Sequence, residues 1–497
     1  MALIPCIIIS LLELGLLHHF GFVSQGSVGP YFLFLVGFQF CSIQAFNIMI
    51  WPFWLSPLRK LPGPKGGTFL FGQTINQAQA LPSQLETSWM KEHPEAPFIR
   101  YLWIFNREVL MVNNIRAQKD VLQTKCYSFK KPGYWERVVG EISGRGILFT
   151  EGLEHRKQRR LLLAPFSLAN IKRLLPFFQQ KASETTAIIL KSLDRREHII
   201  EMSGLLARTT LDVVGLAALG YELNSLSTSS PLAENYEKIF EYVTPLQILI
   251  SVVNQFVPIR PFLPFKANKD YVRANSEVRR ILRHLIGRRK SQFREGKIQG
   301  EKSARDLLTL MIEESKDTWS EEEMLGYVKI QENIASSTPS QPELDGLSYL
   351  NNFTREVLRY YPPAPNFPRE AVEDVVIDGT LVPKGTLVML APAAPNFNPH
   401  IWGPTADQFD PDRYDDLPEL AKDAYASASF SNGPRVCIGK QFALLEFKVI
   451  LVELVRNFEF ENTGPVEPQK SGPSLRPLGG MKLKVRTASQ VASADGF

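Results

Sequence analysis

The chain has 497 residues, of which 44% are hydrophobic and 22% charged, a balance that supports a sizeable core and excludes an extended disordered polymer. A net charge of +5 is too small to predict nucleic-acid binding, although it suits an acidic partner or a membrane surface. The four cysteines, Cys6, Cys41, Cys126 and Cys437, form no Cys-x-x-Cys pair, so neither a disulfide scaffold nor a structural zinc site is suggested, and a reduced, cytosol-facing domain fits best.

The N-terminal stretch is apolar. No Lys or Arg precedes Arg59, and Glu13 is the sole carboxylate before it. Pro30–Leu55 is long enough to span a bilayer, which needs about 20 apolar residues. Trp51 and Trp54 stand at one end of it, where aromatic belts lie. Leu3–Leu17 is shorter and carries Glu13; a second span, an interfacial piece and a signal-like start all remain open for it. No basic leading segment or clear small-residue cleavage site supports a removed signal. Residues 1–58 therefore read as a membrane anchor with one or two apolar segments. Arg59, Lys60 and Lys65 place the downstream domain on the cytosolic side, and Pro62, Gly63 and Pro64 make 59–67 a stiff hinge.

Residues 68–497 read as one domain, mainly α with small β-sheets. Helical periodicity marks Glu154–Leu163, Leu174–Leu193, Leu232–Ile250, Asn275–Arg294, Ala304–Glu314, Leu350–Tyr360 and Gly439–Arg456. Short β-like runs fall at Phe98–Tyr101, Val109–Val112, Val375–Ile377, Thr386–Leu390 and Met481–Val485. In the basic run Arg279–Lys297 the spacing turns Ile281, Leu282, Leu285 and Ile286 inward and the arginines outward; a solvated face or an anionic-lipid contact would both suit it. Ser320 with Glu323 forms a capping box, and Met324, Leu325 and Val328 start an apolar stripe. The stripe then dissolves into SSTPSQPE, which no helix continues. Further on, Glu356 and Arg359 lie one turn apart on one helix face, a pairing common on helix surfaces.

FSNGPRVCIG (Phe430–Gly439) carries the chemistry. Gly433 and Pro434 make a tight turn, Arg435 supplies a cation, and Cys437 stands just before an amphipathic helix. Unpaired N–H groups and the helix dipole would stabilise a thiolate at that point, and Gly433 and Gly439 would let the backbone approach a flat ligand. Such a thiolate suits a haem iron, where a strong thiolate donor favours O–O cleavage.

This stretch matches the haem signature of the cytochrome P450 superfamily, Phe-x-x-Gly-x-Arg-x-Cys-x-Gly, at every fixed position: Phe430, Gly433, Arg435, Cys437 and Gly439. TREVLRYYPP and FDPDRY, with Glu356, Arg359 and Arg413, resemble the segments that form the family's buried charge network. GLEHRKQRRLLLAPFS resembles the helix whose Trp and Arg bind a haem propionate; His155 stands in the Trp place and Arg159 one turn on. Arg369 and Arg435 occupy two more propionate-binding positions. The resemblance runs from the anchor to about Val485 and is nearest to membrane-bound eukaryotic members. It implies the cytochrome P450 fold, haem b (iron protoporphyrin IX) with Cys437 as the axial iron ligand, and an endoplasmic-reticulum membrane location. It implies insertion of one oxygen atom of O2 into a lipophilic small molecule, in a fungal secondary pathway. Electrons would come from a separate NADPH-cytochrome P450 reductase, received by a basic face containing Arg156, Lys157, Arg160 and Lys440. By family position, Phe129–Val139, Pro363–Phe367 and Pro477–Met481 would line the substrate pocket.

One family element is missing. The longest helix of the family carries a run like Ala/Gly-Gly-x-Asp/Glu-Thr that relays protons to bound oxygen. Nothing between Glu301 and Leu350 matches it, so no catalytic acid or Thr can be assigned. KASETTA (Lys181–Ala187) lies far upstream and reads as a surface helix. From Ser320 to Glu356 the chain advances 36 positions. The family pattern needs roughly thirty more, about 45 Å of helix at ~1.5 Å per residue. The sequence thus suggests an internal deletion near 327–330. The alternatives are a reductase-independent isomerase or dehydratase, which can do without the relay, and an inactive haem-binding remnant.

Overall fold

The computed structural model describes residues 3–23, 27–144, 146–228, 230–239, 259–295, 341–471 and 474–488, with isolated positions at 250, 253–254, 257 and 306–307. The expected helix Ala304–Glu314, the capping box at Ser320 and the junction near 327–330 lie outside the described residues or almost wholly so.

Helices dominate. Lys440–Asn457 runs through the middle because Phe442, Leu445, Val449 and Val452 recur at helical spacing and give it a buried stripe. That stripe packs on Leu175–Asp194, where Phe178 meets Phe442 edge-to-face at 4.9 Å. Burying each such side chain stabilises the domain by about 1.5–3 kcal/mol. Leu282, Leu285 and Ile286 of the basic helix join the same core, as their spacing predicts. That helix spans Lys266–Arg294 and so begins nine residues before the expected Asn275. Ala274 and Val278, both buried, show the stripe already running there.

KASETTA is not a surface helix. Lys181, Ala182, Thr185 and Thr186 are buried on Leu175–Asp194. Phe178, Ala182, Thr185 and Ile189 form a continuous inward stripe, in which the two hydroxyl groups disguise the pattern. Thr185 donates to Lys181 O at 2.8 Å and lies 2.7 Å from Thr209 Oγ1, so its hydroxyl is satisfied inside the core. Lys181 Nζ reaches Glu184 at 2.8 Å.

The largest sheet has five strands in the order Phe98–Leu102, Glu108–Val112, Leu387–Leu390, Phe367–Ala371 and Phe129–Lys130. Glu108–Val112 and Leu387–Leu390 pair in parallel, Val109 opposite Leu387, and the other pairings are antiparallel. A three-stranded sheet joins Ile199–Glu201, Lys482–Thr487 and Phe458–Asn462. Phe129–Lys130 is too short for alternation to appear, and Pro368 sits inside Phe367–Ala371, so neither strand is visible as a pattern. Their register, Phe129 opposite Ala371, delivers two cations to one place.

At the N-terminus Leu3–His19 and Val28–Ala45 lie against each other, and Gln39 donates to Glu13 at 2.6 Å. Val28–Ala45 continues as a wider, π-type helix over Phe46–Leu55. Together, Val28–Leu55 is the one helix among the described residues long and apolar enough to cross a membrane.

Candidate functional site

Cys437 ends a loop whose shape is set by close packing. Gly433 has φ +69°, and a Cβ there would lie 2.1 Å from Leu122 O, so only glycine lets the loop press on that backbone. Its need is thus a protein contact, distinct from the ligand approach expected from the sequence. Gly439 has an ordinary φ of −81°, and a Cβ on it would meet Cys437 Sγ at 3.9 Å, an easy contact. The loop closes where Cys437 N donates to O of the half-buried Phe430 at 2.9 Å. Burial pushes the Cys437 thiol up, and the Gly439 N–H and the charges of Arg159 and Lys440 offset this only in part. Cys437 would ionise on gaining a cationic partner such as iron.

The base of this loop rests on the charge network. Arg359 reaches Glu356 through two bonds of 2.7 Å, and Arg413 Nε joins the same carboxylate at 3.1 Å. Glu356 and Arg359 are fully buried on Ser348–Tyr360, so the Glu-x-x-R pair is no surface pair. Burial pushes Glu356 up, yet Arg359, the Asp410 N–H and both guanidinium charges together hold it below the usual range. Arg359 also donates to Asn396 O and Ala406 O, each at 2.6 Å. Asn396, which sequence reasoning missed, connects network to loop: it donates to Arg359 O at 2.9 Å and Ser429 Oγ at 3.1 Å, and accepts from Ala428 N at 3.2 Å. An asparagine in APNFN reads as a turn residue, and nothing local marks it.

On the other side of the loop, cations gather with too few anions. Arg369 is buried, and its guanidinium makes a single hydrogen bond among the described residues, to Pro368 O at 3.0 Å. Its guanidinium is lowered to about 10, first by burial and then by Arg435. Arg435 pairs with Glu151 and donates to Thr150 O at 3.2 Å. Arg159 donates to Val436 O at 2.5 Å, beside Cys437. His155 is buried, its Nδ1 has no hydrogen-bond partner among the described residues, and it is lowered to about 3 by burial and by Arg435, Lys131, Arg159 and Arg369, so it is neutral.

Lys131 also escaped the sequence reading. It follows the short strand Phe129–Lys130, and the pairing with Phe367–Ala371 sets it near Arg369. Burial, Arg369 and Arg435 lower its ammonium to about 7, and Glu151, 3.3 Å away, restores part of that charge. Lys131, Arg369 and Arg435 thus share the Glu151 carboxylate. An arrangement with spare buried donors and positive charge fits a ligand bearing two carboxylates, and a haem's propionates meet that description. The sites fit the group.

Of the expected pocket stretches, Phe129 is buried in the sheet core, Phe367 packs partly against it, and Asn366 holds a buried Oδ1 with no hydrogen-bond partner among the described residues. Leu478 is exposed. Arg156, Lys157 and Arg160 stand exposed on the His155 helix, Gly152–Leu163, and Arg156 lies 4.0 Å over the Tyr127 ring. The distal helix expected near Ser320 lies outside the described residues.

The family model described as Cytochrome P450 matches residues 62–331 and 327–485. The chain is 28% identical to cytochrome P450 monooxygenase sphH of Aspergillus fumigatus, over 91% of this chain and 89% of that protein. It is 28% identical to cytochrome P450 monooxygenase FUM15 of Gibberella moniliformis, over 90% and 91%. With cytochrome P450 monooxygenase ALT8 of Alternaria alternata it shares 27%, over 88% and 91%.

Proposed function

Because the chain belongs to the cytochrome P450 family and its relatives are named monooxygenases, an oxidoreductase that carries haem, we propose that it inserts one oxygen atom of O2 into a lipophilic small molecule of a fungal secondary pathway. The second oxygen atom leaves as water, with two electrons and two protons consumed. We assign the electrons to NADPH through a separate reductase, and the location to the endoplasmic-reticulum membrane with the domain in the cytosol.

When bound, haem b supplies the iron at which O2 is reduced and split. The chain's own residues hold and orient it. Cys437 would offer its sulfur to the iron, from a loop that Gly433, the Phe430 carbonyl and Asn396 fix in place. Arg369, Arg435, Lys131 and His155 offer donors to the propionates, and Arg159 steadies the carbonyl next to the cysteine. Glu151 balances part of the charge while leaving Arg369 and His155 free for a ligand. Glu356, Arg359 and Arg413 keep the base of the loop rigid without touching the reaction. Arg156, Lys157 and Arg160 present an exposed basic face to an acidic electron donor.

The observation that carries this reading is Cys437 closing its loop inside a domain matched by the family model over residues 62–331 and 327–485. The test is turnover of the full chain with haem, reductase and NADPH against a panel of lipophilic substrates. NADPH-dependent product containing one labelled oxygen from 18O2 is expected. The absence of the Gly-x-acid-Thr run favours a second reading, a reductase-independent isomerase or dehydratase. Turnover of a hydroperoxide without NADPH would select it. Intact haem with no turnover under either condition would leave an inactive haem protein.

A further inference from the structure

The anchor meets the domain at a proline. Pro52 sits inside the π-type helix Phe46–Leu55 and brings no N–H to it, so the turn before it is one donor short. Ile48 O lies in that turn and accepts from Asn106 Nδ2 at 3.0 Å. One turn later the shortage recurs. Ser56 N reaches back to Trp51 O at 2.8 Å, one residue further than an α-helix requires. Pro52 O therefore loses its α-helical donor, and its π-register donor would be Pro57, which has no N–H. Arg100 Nη2 donates to Pro52 O at 2.6 Å instead.

Both donors are held rigidly by the catalytic domain. Asn106 is buried at the tip of the hairpin formed by Phe98–Leu102 and Glu108–Val112. Arg100 is clamped by Glu108 at 2.7 Å, and the same carboxylate accepts from Ser56 Oγ at 2.7 Å. The backbone after the helix is sewn to the same strand. Arg100 N donates to Pro62 O at 2.8 Å, and a Cβ on Gly63 would lie 1.8 Å from Arg100 O. Leu58 is buried between.

Large rings cluster at this seam. Phe53 on the anchor and Phe69 on the domain line one cleft with Leu102 and Asn106. Trp54, Phe69, Phe71 and Phe105 are all exposed, Phe105 at the hairpin tip and Phe69 and Phe71 in the Thr68–Gly72 turn bonded to it through Leu70 O. Exposed aromatic residues beside an apolar span are what a headgroup layer accommodates.

We propose that the anchor is a fixed strut and not a free tether: Asn106 and Arg100 hold the carbonyls that Pro52 and the wide turn release, so that Phe69, Phe71 and Phe105 of the domain are pressed into the lipid surface beside Trp54. The partner is the headgroup layer of the bilayer. This rests on the membrane reading of residues 1–58, and the test separates the two. The full chain is placed in phospholipid nanodiscs containing a headgroup-level photoactivatable phosphatidylcholine, irradiated and mapped by peptide mass spectrometry. Wild type is expected to cross-link on anchor peptides and on the peptides holding Phe69–Phe71 and Phe105. Pro52→Ala, which changes no residue of the globular domain, and Asn106→Ala should keep the anchor cross-links and lose those on the domain at least about fivefold. Domain cross-links that are equal in all three proteins, or absent from wild type while the anchor is labelled, would overturn the fixed strut. No label on the anchor itself would instead remove the membrane reading beneath it.

Discussion

Two buried titratable side chains bracket the candidate site and pull stability in opposite directions with pH. His155 falls from its ordinary value to about 3, so the folded state binds fewer protons than the unfolded one between about 3 and 6.5. Its contribution therefore rises with pH through that window and is lost on acidification. Glu446 is fully buried on Lys440–Asn457, and neither carboxylate oxygen has a hydrogen-bond partner among the described residues. Burial raises it well above its ordinary value, so its contribution is complete in acid and is lost as pH climbs beyond about 4.5. Urea unfolding of the haem-free chain at several pH values separates the two. His155→Gln should flatten the acid limb, and Glu446→Gln should flatten the decline on the other side. Identical pH profiles for wild type and both variants would refute these assignments. Lys131 makes a different kind of prediction at the same scale. Lys131→Met removes one of the cations facing the expected propionates, so haem should pass faster to apomyoglobin, by about tenfold for a loss of ~1.4 kcal/mol. Unfolding of the haem-free variant should show no loss, because that lysine is held there against two guanidinium charges.

The helix Ser348–Tyr360 and the cysteine loop act as one element joined through Asn396. Arg359 donates to Glu356 and to the carbonyls of Asn396, Ala406 and Gln408, so removing it takes both of its bonds from the buried Glu356 carboxylate, leaving Arg413 and the Asp410 N–H on one oxygen, and takes its donor from Asn396 O and Ala406 O. Arg359→Ala should cost about 3–5 kcal/mol, the range for breaking a buried ion pair by deleting one partner. Asn396→Ala is the more telling variant, since it leaves the ion pair intact. It removes three bonds that tie the network to Ala428 and Ser429, and each buried group left unmatched costs about 1–3 kcal/mol. The reduced-CO spectrum should then shift away from cysteine ligation before the chain unfolds in urea; loss of both at one urea concentration would show that network and loop are not separately held. This element also marks how far sequence reading goes. The Cys437 loop was legible because its chemistry is local, a turn followed by a helix, whereas Glu356, Arg359 and Arg413 were legible through their resemblance to the family's segments, since the one-turn spacing alone marks a common helix pair and Arg413 meets Glu356 across 57 positions. Asn396 and Lys131 were not, because what they do is fixed by pairings across 37 positions and across a strand of two residues. KASETTA was misread for the converse reason, since hydroxyls that bond within the core look like surface polarity.

For the molecule as a whole, the question is whether a domain with its cysteine loop and cation cluster in order can work with so little chain between Ser320 and Glu356. The two stretches matched by the family model overlap at 327–331, where the apolar stripe begun at Met324 gives out. About thirty residues of distal helix would restore roughly 45 Å of wall at ~1.5 Å per residue, with an apolar face for the helices around it. Without that face, the loss weighs against a total stability of only about 5–15 kcal/mol. The expectation is that this chain takes up haem weakly and gives a reduced-CO band well below full strength. A chimaera carrying the corresponding distal segment of the Aspergillus fumigatus relative between Val328 and Lys329 should retain haem at least about tenfold longer and gain NADPH-dependent turnover. The comparison is decisive because the proximal side is common to both chains: Cys437, Arg435, Arg369 and the Glu356 network are unchanged. A difference between them therefore reports the distal wall alone. A full-strength band and equal turnover from the short chain would mean that its remaining helices close the site unaided, and the deletion reading would fall.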